Sequence, residues 1–294
     1  MRVAFVSLVV SACALLLAAP DAAAQEPVQE PVQERVQESP PTTPVALHHD
    51  VAVDLVATGV LGAGLVTWTT VRANALRSPC VICDSGEGVN GLDALFRSAF
   101  RRRDADAAGV AGDVVTYGVA PVMGLALTIG AAAADGRTDE APLDTLLVAE
   151  ASLAAITVNE ALGALLRRPR PDGSGDETVS SFPSGSAASI MAITAASATV
   201  ATLRGYRLAP LVWIMGTTVG LTATYLRIAA DKSYFTDDLA GAAIGLSVGA
   251  LVPILFHRRV EPGAGASRAR WLEGATLTTS AVPGGRIVGL GWSL

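Results

Sequence analysis

Apolar residues follow one another in long runs along most of this chain, instead of alternating with polar residues. Six such runs are visible: 51–70, 110–134, 143–166, 187–203, 208–228 and 239–256. At 1.5 Å per residue, about 20 helical residues cross a hydrocarbon layer about 30 Å thick, and most of the runs reach or approach that length. The pattern predicts an all-α fold, a bundle of about six long apolar helices.

Between the first two runs the pattern changes to that of a short amphipathic helix. Its apolar residues recur at helical spacing: Leu92, Leu95, Phe96, Ala99 and Phe100. Arginines at 97 and 101–103 occupy other positions. This stripe predicts a helix that lies in a membrane interface or packs along the bundle.

The two ends of the chain differ from its apolar middle. Residues 1–24 combine an early arginine, an apolar core and a final run of alanines, which predicts a secretory signal peptide. Residues 25–48 are rich in proline, glutamate and glutamine, the composition of a disordered, solvated stalk. The helical domain is expected over 49–259. In the glycine-rich tail, 260–294, two β-prone runs flank a Pro-Gly-Gly turn and predict a small hairpin.

Composition narrows the class of protein. Apolar residues make up 51% of the 294 residues and charged residues 16%, whereas an ordinary soluble domain carries about 25% charged residues. The net charge of −6 and the single lysine, Lys232, argue against a nucleic-acid partner, which requires clustered positive charge. Three histidines and three cysteines are too few for the usual Cys/His zinc framework. We therefore expect no metal and no cofactor.

Four carboxylates interrupt the apolar runs, and they bear on location. They are Asp54, Asp113, Glu150 and Glu160. A carboxylate in hydrocarbon costs at least a few kcal/mol, so each should face the bundle interior, meet a partner or line a cavity. Export followed by insertion in the inner membrane is the expected location, and a soluble periplasmic helical domain is the alternative.

Counting crossings gives an expectation for sidedness. If the signal is removed and every run crosses, the segment 167–185 lies in the cytoplasm. The arginines of 97–103 agree with that orientation under the positive-inside rule. An exported segment would need an uncleaved signal helix or one run that does not cross.

The most polar region of the domain brings arginines next to the start of a helix. Arg167–Arg170 ends one apolar run, and Pro183–Ser186 opens the next. Backbone N–H groups at a helix N-terminus, together with arginines, suit a phosphate group. Alternatively, the arginines only snorkel at a helix end and the serines only cap a helix. These residues alone leave both interpretations open.

A second polar segment, Tyr225–Asp238, completes three ordered motifs. With it, the chain resembles the type 2 phosphatidic acid phosphatase superfamily, which includes lipid phosphatases, class A acid phosphatases and vanadium haloperoxidases. That family carries Lys-x6-Arg-Pro, Pro-Ser-Gly-His and Ser-Arg-x5-His-x3-Asp on a helical bundle. The resemblance covers roughly residues 50–257. It implies a phospholipid or another phosphate ester as ligand, bound by four residues: Arg170, Ser184, Gly185 and Arg227.

The resemblance also implies catalytic roles, and the sequence departs from the family at those positions. In the family, a histidine attacks phosphorus, an aspartate orients it, and a second histidine protonates the leaving oxygen, with no metal. Here Ser233 stands at the nucleophile, Asp237 at the orienting aspartate, Ser186 at the acid and Gly163 at the lysine. A serine without a neighbouring base neither attacks nor protonates well, and loss of general acid help alone costs about 10²-fold to 10⁴-fold. We expect a pseudophosphatase that retains a phosphate-binding pocket.

Two other functions fit the sequence. One is an active lipid phosphatase or non-specific phosphomonoesterase with replacement groups, for which Asp231, Asp237 and Glu160 are candidate carboxylates. The same carboxylates could instead balance the charge of the pocket arginines. The other is a structural membrane protein with no ligand. Glu160 lies one turn before Gly163, so it should point toward the vacated lysine position and weaken anion binding.

Cys80 and Cys83 are spaced for a local disulfide that closes a tight loop after Pro79. A thioredoxin-like redox role would require a βαβ setting, and zinc would require two more ligands. We expect a structural crosslink if this segment is exported, and reduced thiols if it is cytoplasmic.

Overall fold

A computed structural model describes residues 45–75, 81–83, 88–173, 180–260, 275–282 and 285–292. The predicted signal peptide, residues 25–44 of the predicted stalk and Cys80 lie outside this part of the chain. Cys83 lies within it and is disulfide-bonded. Its pairing with Cys80 remains a prediction.

The described chain consists mainly of long helices, which confirms the all-α prediction. In order they are α1 (Val51–Ala75), α2 (Gly91–Phe100), α3 (Ala105–Asp113), α4 (Ala120–Ala134), α5 (Ala141–Leu166), α6 (Gly185–Arg204), α7 (Ala209–Ala229) and α8 (Phe235–Phe256). A π-helical turn over Val114–Val119 joins α3 to α4. The predicted C-terminal hairpin is also present, as antiparallel strands β1 (Ala275–Val282) and β2 (Gly285–Trp292).

Six of these helical segments are long and apolar enough to cross a membrane. They span 51–71, 105–134, 141–166, 185–204, 209–229 and 235–256. Large apolar side chains point outward from them, including Val60, Leu165 and Ile214, each more than 60% exposed. Outward apolar surface on this scale is expected where helices face lipid. The bundle is that of a membrane protein.

Helix α6 forms the centre of the bundle, and α8 packs closely against its backbone. Gly241, Gly245 and Gly249 lie at every fourth position of α8. A Cβ at these positions would lie only 2.2, 2.3 and 2.7 Å from backbone oxygens of α6 and its N-cap residue. Because glycine has no side chain at this contact, the two backbones can approach this closely.

The short amphipathic helix predicted before the second run is α2. The side chain of Asn90 caps it by accepting the N–H of Asp93 at 3.0 Å. Phe96 stacks on Phe235 of α8 with ring centroids 3.8 Å apart. The helix therefore packs along the bundle at the start of α8.

The four carboxylates in the apolar runs have distinct environments. Asp54 is buried, and Glu150 and Glu160 are partly buried. Asp113 is 64% exposed, and its Oδ1 lies 3.9 Å from Nη1 of Arg227. Asp113 is therefore near solvent, whereas the other three face the bundle interior at least in part.

The segments that lead into α1 and out of α8 meet at one end of the bundle. The N–H of His48 donates to the Arg258 carbonyl, and the N–H of Val260 donates to the Ala46 carbonyl, each at 2.9 Å. The loop between α5 and α6 lies at the other end. Since α5 has 26 residues, the two ends are separated by about 39 Å along that helix.

Candidate functional site

A cavity of about 230 Å³ opens at the end of the bundle where α5 stops and α6 begins. The side chains and backbone that line it come from all three predicted motifs and from neighbouring helices: Trp68, Tyr117, Asn159, Glu160, Gly163, Ala164, Arg167, Arg170, Ser180, Ser181, Pro183, Ser184, Gly185, Ser186 and Arg227. Three arginines and one glutamate are its charged members. The cavity is therefore polar and predominantly cationic.

The arginines of the first motif divide between the cavity and the protein interior. Arg167 and Arg170 line the cavity. Arg168 is only 3% exposed and donates to Asp237 at 2.6 Å and to Asp93 at 2.8 Å. Of the two Arg-Pro pairs, the one beginning at Arg170 thus faces the cavity, and its assignment to phosphate binding stays a prediction.

The second motif brings the N-terminus of α6 to the cavity. Ser184 caps the helix by accepting the N–H of Ala187 at 3.5 Å. The first turn of α6 carries N–H groups without intrahelical acceptors, and these favour an anion. A Cβ at Gly185 would lie 3.5 Å from Oε1 of Glu160. The glutamate is therefore close to the helix end where an anion would bind.

Arg227 is the cavity residue of the third motif. Its side chain is 14% exposed, and its Nε is buried without a hydrogen-bond partner among the described residues. Its ion pair with Asp113 is long, at 3.9 Å, and that carboxylate is largely exposed. The guanidinium is therefore available to an anion inside the cavity.

Ser233 and Asp237 do not meet in the way the motif implies. Ser233 is buried and donates to the Asp238 carboxylate, with its Oγ 2.8 Å from Oδ2. Asp237 instead accepts from Ser181, Arg168 and the N–H of Tyr234. The expectation that Asp237 orients the residue at 233 is thus wrong, because its carboxylate caps α8 and binds the buried arginine.

Asp93, which no sequence pattern singled out, is the second buried carboxylate that binds Arg168. It is fully buried and accepts from Arg168 and from the N–H and hydroxyl of Thr236. Burial by itself would raise the pKa of Asp93, but these hydrogen bonds and the charge of Arg168 lower it below its ordinary value. The carboxylate is held in its charged form.

The carboxylates considered as replacement groups occupy different places. Asp231 is 3% exposed and binds Arg97, whose Nε lies 2.6 Å from Oδ1. That hydrogen bond raises the pKa of Arg97. Glu160 lines the cavity, whereas Asp231 and Asp237 do not. Asp231 binds the partly exposed Arg97, and Asp237 binds the buried Arg168.

Among the described residues, no histidine, cysteine or lysine lines the cavity. His257 directly follows α8, whose 22 residues extend about 33 Å from the start of that helix. His48 is joined to the segment after α8. These imidazoles lie at the opposite end of the bundle and cannot reach the cavity.

Sequence reasoning missed several residues of this region. Trp68, Tyr117 and Asn159 line the cavity from three different segments. The one signal for Asn159 was that it is a polar residue within an apolar run. Nothing in the sequence signalled the pairing of Ser233 with Asp238. Both depend on helix packing.

Comparison with known proteins gives one structural likeness. A crystal structure of a transmembrane PAP2-type phosphatidylglycerolphosphate phosphatase from Bacillus subtilis matches with a TM-score of 0.43 and 18% sequence identity, over 66% of this chain and 94% of that chain. No family model matches the sequence. No curated protein matches it either.

Proposed function

We propose that this chain is a membrane protein like the type 2 phosphatidic acid phosphatases, and that it binds a phosphate ester without hydrolysing it efficiently. One observation carries this proposal. One cavity is lined by parts of three separate motifs: Arg170, Arg227 and the N-terminus of α6. No described imidazole lines this cavity.

The charge and donors of the cavity support phosphate as the ligand. The cavity lining contains three arginines, Arg167, Arg170 and Arg227, and a single glutamate. Guanidinium groups bind phosphate oxygens through charge-assisted hydrogen bonds. Backbone N–H groups at the start of α6 add donors with the same preference. A phospholipid head group is the ligand class we favour, because the cavity opens within a bundle of membrane-length helices.

The side chains around the cavity support slow or absent turnover. Phosphoryl transfer needs a nucleophile in line with the leaving oxygen and an acid to protonate that oxygen. Ser233 is held on Asp238 outside the cavity lining, and Ser186 offers only a hydroxyl. Neither group supplies a proton or a nucleophile near neutral pH.

Binding is tested by titrating the purified protein with inorganic phosphate and with vanadate. Arg170→Gln and Arg227→Gln should each weaken binding by about 10-fold or more, since a charge-assisted hydrogen bond contributes about 1.5–3 kcal/mol. Arg103→Gln, at an exposed arginine outside the cavity, is the matched control. Equal affinity in all four proteins would contradict a phosphate site in this cavity.

Turnover is tested with phosphatidic acid, an isoprenyl diphosphate and a chromogenic phosphate ester. We expect inorganic phosphate release near the uncatalysed level for each. Release comparable to that of an active relative would refute the proposed loss of catalysis and favour an enzyme with replacement groups.

A further inference from the structure

A second group of polar side chains lies at the opposite end of the bundle, apart from the phosphate cavity. Asp54 of α1, Glu150 of α5 and His257, directly after α8, bring one ligand atom each within 4.8 Å of one another. The ring Nε2 of His257 lies 3.5 Å from Oε2 of Glu150. Three separate segments of the chain thus converge on one point.

These ligand atoms are buried and lack hydrogen-bond partners. Asp54 is 5% exposed and His257 is 2% exposed. Three atoms of the group are buried without a hydrogen bond among the described residues: Oδ2 of Asp54, Oε2 of Glu150 and Nε2 of His257. A buried polar atom without a partner costs about 1–3 kcal/mol, so three of them together require an explanation.

The other ring nitrogen of His257 is arranged as in a metal ligand. Nδ1 lies 3.2 Å from the carbonyl oxygen of His48. A carbonyl only accepts, so Nδ1 carries the proton and, in the neutral ring, Nε2 presents its lone pair to the two carboxylates. Histidines that bind metals usually donate their second nitrogen to a carbonyl or carboxylate in this way.

The charge of the group favours a cation. Two carboxylates and a neutral imidazole carry two negative charges, and no described arginine or lysine forms an ion pair with either carboxylate. Burial of uncompensated charge is costly. A divalent cation would neutralise the group completely, whereas a single proton would leave one negative charge.

We propose that Asp54, Glu150 and His257 bind one divalent first-row transition metal ion of the Zn²⁺ type. An imidazole with two carboxylates selects such ions over Ca²⁺ and Mg²⁺, which prefer oxygen ligands only. Two ligands about 2.1 Å from one ion lie at most about 4.2 Å apart. The 3.5 Å separation between His257 and Glu150 already meets that limit. Since all three ligand atoms lie within 4.8 Å of one another, no pair has to close by more than about 0.6 Å.

The position of Asp54 indicates what the ion does. Helix α1 is the least buried of the six membrane-length helices. Asp54 is its only buried side chain among residues 51–71. The ion therefore ties α1 to α5 and to the end of α8, which is a structural role.

The test uses the full chain, purified with a tag that contains no histidine and dialysed against a chelator. Addition of Co²⁺ should produce visible d–d absorption that saturates at about one ion per chain, and Zn²⁺ should displace it while Mg²⁺ and Ca²⁺ should not. Zn²⁺ should also raise the melting temperature, because the ion binds only the folded protein. Absence of stoichiometric Co²⁺ binding would overturn the proposal.

Matched variants assign the ion to this group. Glu150→Gln and His257→Gln should each weaken Zn²⁺ binding on the order of 100-fold or more. Asp139→Asn, at an exposed carboxylate just before the same helix, and His49→Gln, at an exposed neighbouring histidine, should bind Zn²⁺ as the original protein does. Equal Zn²⁺ affinity in all variants would place the ion elsewhere and refute the site.

Discussion

At the scale of single residues, the side chains at positions 163, 186 and 233 decide what the cavity can do. Ser186 lines the cavity, with its Oγ 3.2 Å from that of Ser184, and Ser233 is held on Asp238 outside the lining. Gly163 carries no charge, whereas the family motif has a lysine at this position. The arrangement supports binding more than bond cleavage.

Restoring charge at position 163 should strengthen anion binding. A Cβ there would meet the carbonyl of Phe182 at 3.7 Å and Pro183 at 4.0 Å, which are ordinary contacts, so Gly163→Lys should be accommodated. A cation beside the bound phosphate should lower its dissociation constant by about 10-fold, or about 1.4 kcal/mol. Titration with inorganic phosphate measures this.

Gly163→Gln is the control for that variant, since it adds a side chain of similar length without charge. If Gly163→Lys binds phosphate no better than Gly163→Gln, the position does not face the anion.

Asp93 should matter for stability because it is the buried partner of Arg168. Asp93→Asn removes a charge that this buried guanidinium requires, and we expect a loss of about 3 kcal/mol in the free energy of unfolding. Denaturant titration in detergent measures the loss. Asp106→Asn, at an exposed carboxylate, should change stability little.

The effect of Asp93→Asn should also depend on pH. Its pKa is lowered in the folded protein, so its stabilising contribution is present above the ordinary value near 3.8 and is lost as pH falls through the folded value. The difference between the variant and the original protein should shrink in acid. A constant difference down to low pH would contradict the assigned role of the charge.

At the scale of elements, the helices were predictable and their contacts were not. Long, predominantly apolar runs near membrane length specify α1 and α4 to α8 through local composition alone. In contrast, Arg168 binds Asp93 across 75 residues of sequence. Such a pairing depends on how helices pack, and a single sequence does not carry that information.

The stripe of glycines in α8 gives a test of that packing. A Cβ at Gly245 would lie 2.3 Å from the carbonyl oxygen of Ala188 in α6, so Gly245→Ala should force the helices apart and lower the free energy of unfolding by at least about 2 kcal/mol. Thermal melting in detergent follows the change.

Gly130→Ala is the matched control, because a Cβ at that helical position meets nothing within 4 Å. Alanine favours helix over glycine by about 1 kcal/mol, so this variant should be neutral or more stable. Equal destabilisation of both variants would contradict the close contact between α6 and α8.

At the scale of the whole molecule, the cationic cavity and the entry to α1 lie at opposite ends of the bundle. The sequence predicted the motifs that converge on the cavity, because they resemble a family pattern. It missed the group at the other end, since Asp54, Glu150 and His257 are far apart along the chain. Histidines and cysteines alone indicate no metal site in this sequence, whereas two of the three proposed ligands are carboxylates.

The architecture predicts that the two ends face opposite sides of the membrane. His49→Cys precedes α1, and Arg103→Cys lies between α2 and α3 on the side of the cavity. Introduced singly into a variant without native cysteines, they should differ in labelling by a membrane-impermeant maleimide in sealed vesicles. Labelling of both positions at equal rates, with permeabilised vesicles as the reference, would show that α1 does not cross.

The central claim is that the cavity binds a phosphate ester that it does not cleave, and ³¹P NMR tests both parts in one sample. A short-chain phosphatidic acid incubated with the protein should give a broadened or shifted resonance that the Arg227→Gln variant does not produce. The same spectrum should show no growing signal from inorganic phosphate over hours. An inorganic phosphate signal that grows with protein concentration and disappears in Arg227→Gln, or a resonance unaffected by the protein, would contradict the account.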